Sequence, residues 1–357
     1  MLRSMPIWVF GLVIFFLGEF APRALAQSRA VAVNANTQVN LLGFGDWGVD
    51  SPDHQAVAAT MAAYVAKSAR PFDGALSLGD NFYVPLTSAD DPAFKKLFDD
   101  TYDARRMNFP FWAVLGNHDY DAFNGHVKYE WEIQHAAIHP DSRWKMPARW
   151  YRLDLPPDHP LVTILMLDSN KENANATSLT PVEWTDELEW LQKQLAGPRA
   201  IWTLCCAHHT IYCNGSKGDN GVLIQQWGAL FEKYKVDFYL CGHNHTIQHI
   251  DPAGVFTSYV ISGGGGAARD GLLRDDRGFS ISVTGFAAFQ FDRDMATVSL
   301  LRGNGATLHS FVRTKSGTVK VLQSLASGPK SKKPLRLIQG LPDAPATQAA
   351  ADSRGMN

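Results

Sequence analysis

Val39-Asn40-Leu41-Leu42-Gly43-Phe44-Gly45-Asp46-Trp47-Gly48 is a mostly apolar run of strand length that breaks at once into an acid bracketed by glycines. The pattern recurs down the chain. Ala75–Leu78 runs into Gly79-Asp80-Asn81-Phe82-Tyr83, and Phe111–Leu115 runs into Gly116-Asn117-His118-Asp119. Ala200–Cys206 ends at His208-His209, and Val236–Leu240 ends at Gly242-His243-Asn244-His245. Helical stretches alternate with these runs. Val57, Met61 and Tyr64/Val65, at i, i+4 and i+7/i+8, predict a helix over residues 53–68. Thr180-Pro181-Val182-Glu183 carries a capping box with proline at the first helical position, predicting a helix that runs to Leu195 and stops near Gly197-Pro198. A third helix fits residues 222–234. Leu161–Leu167, Ser258–Ile261 and a terminal meander of Ser282–Phe291 and Ala296–Leu301 supply further strands. Strand, polar cluster and helix in repeating order predict an α/β fold with a two-sheet core sandwiched by helices (αββα).

Composition bounds the rest. The chain has 357 residues, 45% of them hydrophobic, enough for one or two domains. Lys and Arg total 33 against 35 Asp and Glu, a net charge of −2, so no nucleic-acid or anionic-membrane partner is expected. Met1–Ala26 reads as a secretory leader. Arg3 is followed by the apolar run Ile7–Leu17 and the small-residue pattern Ala24-Leu25-Ala26. That run is too short for a bilayer span, which needs about 20 residues. Cleavage after Ala26 is expected, giving a secreted or periplasmic protein without a stable membrane anchor; an uncleaved signal anchor is the alternative. Residues 27–37 form an N-terminal segment, 38–326 one folded domain, and 327–357, rich in Gly, Pro, Lys and Ala, a disordered tail. Four cysteines exclude a disulfide scaffold. Cys205 and Cys206 are adjacent on a strand and point to opposite faces, which makes one of them core. A bridge among Cys206, Cys213 and Cys241 stays open.

Loops at the carboxyl ends of strands in an open α/β sheet share one edge, so residues distant in sequence converge there. Those loops carry Asp46, Asp80, Tyr83, Asn117, His118, His208, His243 and His245. Oxygen and imidazole donors suit two hard or borderline cations rather than a thiolate zinc site. Two cations about 3.5–4 Å apart need a shared anionic bridge, and Asp80 is suited to it. Each cluster alone has a bland reading, since an acid in Gly-Asp-x-Gly commonly caps a turn. Five in order, each behind an apolar run, do not.

On these motifs the chain resembles the calcineurin-like metallophosphoesterases, and within them the small, tartrate-resistant type of purple acid phosphatase. The resemblance spans roughly residues 38–313, and Tyr83, three residues after Asp80, singles out the purple subgroup. A phenol, with an ordinary pKa of about 10, ligates well only where the cation is acidic enough to ionise it, and Fe(III) is. The resemblance therefore implies Fe(III) held by Asp46, Tyr83, His245 and bridging Asp80. It implies a second, divalent metal (Fe, Zn or Mn) held by Asn117, His208, His243 and the same Asp80. His118 would contact substrate phosphate, with Asp119 orienting its ring; His209 matches a position that is not a ligand in the family, and pocket lining and structural packing both stay open for it. The family carries a second histidine nine residues after His208, and here that position is Lys217. A lysine attracts phosphate as a point charge but is a poor general acid at an ordinary pKa of about 10.4.

The implied activity is that of an acid phosphatase hydrolysing phosphate monoesters by in-line attack of a hydroxide made available by the metals, and a monomer is expected. No serine or cysteine nucleophile motif competes with it. Two rivals remain: a phosphodiesterase or nucleotide hydrolase of the same superfamily, and a secreted metal-binding protein that has lost catalysis, which Lys217 alone favours.

Overall fold

The computed structural model describes residues 37–171 and 177–325. The leader at 1–26, nearly all of segment 27–37 and the tail at 327–357 lie outside the described residues. In chain order the first strands are β1 (Val39–Phe44), β2 (Gly74–Leu78), β3 (Phe111–Val114), β4 (Ala122–Phe123), β5 (His126–Val127), β6 (Trp144–Lys145), β7 (Tyr151–Leu155) and β8 (Val162–Met166). They continue with β9 (Trp202–Cys206), β10 (Phe238–Cys241), β11 (Ile247–Ile250), β12 (Ser258–Ser262), β13 (Phe279–Ile281), β14 (Gly285–Phe291), β15 (Met295–Arg302), β16 (Thr307–Thr314) and β17 (Val319–Ser324). One sheet has the order β17-β16-β15-β14-β1-β2-β3-β6, and the other β13-β11-β12-β10-β9-β8-β7. Within the first, β1, β2, β3 and β6 run parallel. Within the second, β8, β9, β10 and β12 do.

The apolar runs are continuous because both faces of these strands are covered. Along β8, Ile164 and Met166 join a core that also takes in β1, β2 and β14, whereas Leu165 joins a second core beneath the helices. That second core holds Trp184, Leu191 and Leu195 of α3 (Pro181–Ala196) with Trp227 and Phe231. The two-sheet, helix-covered architecture is thus the one expected. α1 (Pro52–Lys67) starts at the Ser51 cap and packs against β14, and α2 (Lys128–Ile138) lies between β5 and β6. The Thr180–Glu183 capping box forms as read.

Four readings need correction. The helix predicted over 222–234 comprises α4 (Gly221–Leu223), a wider π turn at Ile224–Gly228 and α5 (Ala229–Tyr234); Trp227 in that turn stacks on Trp184 at 5.5 Å. The strand read as Ser282–Phe291 begins only at Gly285, whose added Cβ would sit 2.0 Å from the Leu301 carbonyl oxygen. The terminal meander extends through β16 and β17. Both Cys205 and Cys206 are buried, one in each core, because neither face of β9 meets solvent, and all four cysteines are free. Among the described residues no helix is long and apolar enough to cross a membrane.

Candidate metal centre

Five parallel strands end on one rim, and each delivers a donor at nearly the same offset. Asp46, Asp80, His208 and His243 lie two residues past β1, β2, β9 and β10, and Asn117 lies three past β3. The turns are tight. Asp46, Asp80 and His243 adopt left-handed backbone at φ 61, 51 and 65°, a conformation that costs a non-glycine residue of order 1–3 kcal/mol each. Glycines let the loops meet: a Cβ on Gly242 would stand 2.5 Å from Asp46 Oδ2, and one on Gly79 2.7 Å from His208 Nδ1.

The seven donors fall into two groups that meet at Asp80. In the first, Asp46 Oδ1 and Tyr83 Oη each lie 3.2 Å from His245 Nε2, and Tyr83 Oη donates to Asp80 Oδ2 at 3.1 Å. Ligand atoms of Asp46, Asp80 and His245 all fall within 4.8 Å of one another. In the second, His208 Nε2 lies 3.1 Å from both Asn117 Oδ1 and His243 Nδ1, and 3.5 Å from Asp80 Oδ1. Backbone carbonyls fix which imidazole nitrogen faces inward. His208 Nδ1 donates to the Leu78 carbonyl at 2.8 Å and His245 Nδ1 to that of Ala268, so each Nε2 presents a lone pair in the neutral ring.

The electrostatics fit a cation-binding cavity. Asp46 is fully buried; Oδ2 accepts from the His243 amide at 2.9 Å, while Oδ1 is faced by His245 Nε2 at 3.2 Å. A buried carboxylate is costly unless positive charge faces it, and a metal cation between Asp46 Oδ1 and His245 Nε2 would supply that charge in place of the imidazole's proton. Burial pushes the Asp46 carboxyl up from its ordinary range, with His245 and His208 opposing. Burial acts upward on Asp80 too, but His208 and His118 outweigh it and hold Asp80 below its ordinary value. His245 is held up at about 9, because the Asp46 carboxylate overcomes the effect of burial. Burial, then neighbouring histidines, hold His243 well below the usual imidazole range and pull His209 down to about 3. Both therefore stay neutral. Burial and the Asp46 and Asp80 carboxylates push the Tyr83 phenol far up, so only a strongly acidic cation would ionise it.

Of the other residues singled out, His118 sits at the rim, 42% exposed, with its ring 4.5 Å from that of Tyr83 and its amide donating to Asp80 Oδ1 at 2.9 Å. Lys217 is exposed and lines, with His209 and His243, a cleft of about 470 Å³. The acid two residues on, Asp219, is engaged by Arg277 at 2.8 and 2.9 Å, which leaves it little free charge to offer Lys217. Asp119 does not orient His118. It is buried, accepting from the amides of Asn81 (3.0 Å), Phe82 (3.2 Å) and Gly116 (2.8 Å), and thereby pins the Asp80 loop to the Asn117 loop. The partner of His118 Nδ1 is Asp121 Oδ2 at 3.2 Å. The turn His118–Tyr120 is 3₁₀, so side chains three apart eclipse and the next residue is rotated away.

Sequence reasoning also missed Asp270, which accepts from the His245 amide at 2.9 Å, and Asn81, whose side chain bonds Asp119 and Glu132. Asp270 acts on the backbone and Asn81 on the carboxylates behind the donors, where no spacing rule reaches.

The profile of the calcineurin-like phosphoesterases matches residues 39–246. Human tartrate-resistant acid phosphatase type 5 is 30% identical over 307 residues, covering 78% of this chain and 92% of that protein. Among solved structures, GAP50, the anchor in the inner membrane complex of Plasmodium, superposes with a TM-score of 0.65 at 20% identity, over 81% of this chain and 90% of that one. A purple acid phosphatase from yellow lupin seeds superposes with a TM-score of 0.58 at 17% identity, over 78% of this chain and 54% of that one. The last two show the fold; the first two carry the relationship. Strand-end donors, fold and relatives agree: the chain belongs to the calcineurin-like phosphoesterase family and is a hydrolase related to the tartrate-resistant, purple acid phosphatases.

Proposed function

We propose that the chain is a binuclear metallophosphatase that hydrolyses phosphate monoesters. Asp46, Tyr83, His245 and Asp80 would hold Fe(III), and Asp80, Asn117, His208 and His243 a divalent Fe, Zn or Mn. What carries this reading is the division of the donor atoms into two sets, with the two oxygens of Asp80 facing one set each. When bound, the cations supply Lewis acidity toward the phosphoryl group.

The residues of the chain do the rest. His118, half-exposed beside Tyr83, would donate to a phosphate oxygen. Lys217 draws the anion into the cleft as a point charge. Cysteine nucleophiles are excluded by burial, which pushes the thiols of Cys205, Cys206, Cys213 and Cys241 upward. With no serine nucleophile motif in the sequence either, water would be the attacking group, and inversion at phosphorus is the expected stereochemistry. The leader read over residues 1–26 supports action outside the cytosol.

The test is direct. The purified protein should contain two metals per chain and show a visible charge-transfer band; Tyr83→Phe should abolish the band. Persistence of the colour in Tyr83→Phe would remove Tyr83 from the ligands of the coloured metal. Lys217→Ala should raise KM for an aryl phosphate by roughly five- to tenfold with kcat little changed, in line with losing one charge-assisted contact. Unchanged KM and kcat would reduce Lys217 to a solvated loop residue.

A further inference from the structure

Lys128 sits against its local preferences in both position and burial. It opens α2, where the helix dipole disfavours a cation, and it follows Val127, which makes no side-chain cap. Its side chain is only 2% exposed, and burying an ammonium costs several kcal/mol unless it is paired. A sequence that breaks two local preferences at one residue is serving something else nearby.

The fold shows what. After the 3₁₀ turn His118–Tyr120 the chain passes Asp121 and makes the tight hairpin β4–β5 through Asn124-Gly125, at φ 50 and 81°. Left-handed backbone at both central residues is the two-residue turn that returns a strand directly upon itself. The return brings Lys128 back to Asp121: its amide donates to the Asp121 carbonyl at 3.2 Å, and its Nζ lies 3.3 Å from Asp121 Oδ2. That same Oδ2 takes the His118 Nδ1 bond. Lys128 Nζ also donates to the Phe82 carbonyl at 2.6 Å, one residue before Tyr83. One buried ammonium thus ties the Asp80–Tyr83 loop to the carboxylate that holds the His118 ring.

We propose that Lys128, acting through Asp121, is a positioning residue that sets the His118 imidazole toward the substrate's phosphate; this rests on the reading above that His118 meets that phosphate. Asp121 bonds the inner ring nitrogen, fixing the ring's rotation and leaving Nε2 for the substrate. Lys128 fixes Asp121, which at 40% exposure would otherwise be free to turn to solvent. A purely structural Lys128, present only as counter-ion to the buried Asp119 and Glu132, would act on folding and metal loading and not on phosphate recognition.

The experiment uses the metal-loaded full chain and measures metal content, the visible spectrum, and the competitive inhibition constant of inorganic phosphate alongside kcat and KM. Asp121→Ala and Lys128→Gln are each expected to weaken phosphate by about tenfold, as loss of an orienting partner typically does, with metal content and visible maximum unchanged. In a His118→Asn background Asp121→Ala should add nothing, because its effect passes through that ring. Asp121→Ala, at a half-exposed carboxylate, decides the matter should Lys128→Gln fail to load metal. Wild-type phosphate inhibition in Asp121→Ala, or an equal loss in the His118→Asn background, overturns the proposal. If His118→Asn itself leaves phosphate inhibition unchanged, the assignment of His118 to the phosphate is what has failed.

Discussion

Asp80→Asn is expected to lower kcat by about a thousandfold, roughly 4 kcal/mol of transition-state stabilisation, while the fold is retained. The substitution keeps size and shape: an amide oxygen could still accept from the His118 amide, as Oδ1 does now at 2.9 Å. What it removes is charge at the one donor both sets share. If Fe(III) and a divalent ion sit here, five positive charges face Asp46, Asp80 and the Tyr83 phenolate, and the change takes away one of three compensating negatives. It also aims an amide N–H at either Tyr83 Oη or His208 Nε2, now 3.1 and 3.5 Å from the two Asp80 oxygens. Metal content should fall from two per chain to one or none, with far-ultraviolet circular dichroism unchanged. A variant keeping two metals and a tenth of the wild-type rate would show that Asp80 does not bridge.

That these side chains meet at one rim was legible in the sequence for a physical reason. A parallel strand buried on both faces is a continuous apolar run, so its end is sharply marked, and the rim residue sits a fixed two or three positions beyond it. Asp46, Asp80, Asn117, His208 and His243 all obey that offset. The supporting residues do not. Asp119 was misread because adjacency in sequence suggests contact, whereas a 3₁₀ turn pairs His118 with Asp121 at i+3. Lys128 looks like any lysine until the Asn124-Gly125 hairpin folds it back. The π turn at Ile224–Gly228 keeps the composition of a helix, and β17, exposed along nearly its whole length, has no apolar run to betray it. Elements that bury apolar surface announce themselves; elements fixed by a hydrogen bond from elsewhere do not.

Gly116→Ala is expected to empty the site although Gly116 donates nothing to a metal. A Cβ there would lie 2.2 Å from both the amide nitrogen and Oδ1 of Asp80, with the Asp80 Cγ at 2.9 Å. None of these atoms can yield cheaply. The Asp80 backbone is already strained at φ 51°, its carbonyl accepts from the Gly48 amide, and the next residue is pinned through its amide by Asp119. Relief must come by moving the Asp80 loop or the Asn117 loop, and each movement separates the two donor sets. Overpacking of this kind costs about 1–3 kcal/mol of stability, too little to unfold a domain of ordinary stability. Activity should nevertheless drop by at least a hundredfold, because an ångström at the shared carboxylate is large against the tolerance of a metal site. Gly228→Ala is the matched control: its Cβ would meet nothing closer than the Leu223 carbonyl oxygen at 3.7 Å, in helical backbone where alanine is favoured. It should leave metal content and rate unchanged and raise stability slightly. Wild-type metal content in Gly116→Ala would mean that the loops carrying Asp80 and Asn117 are not held against each other, and with them would go the rigid rim on which both donor sets depend.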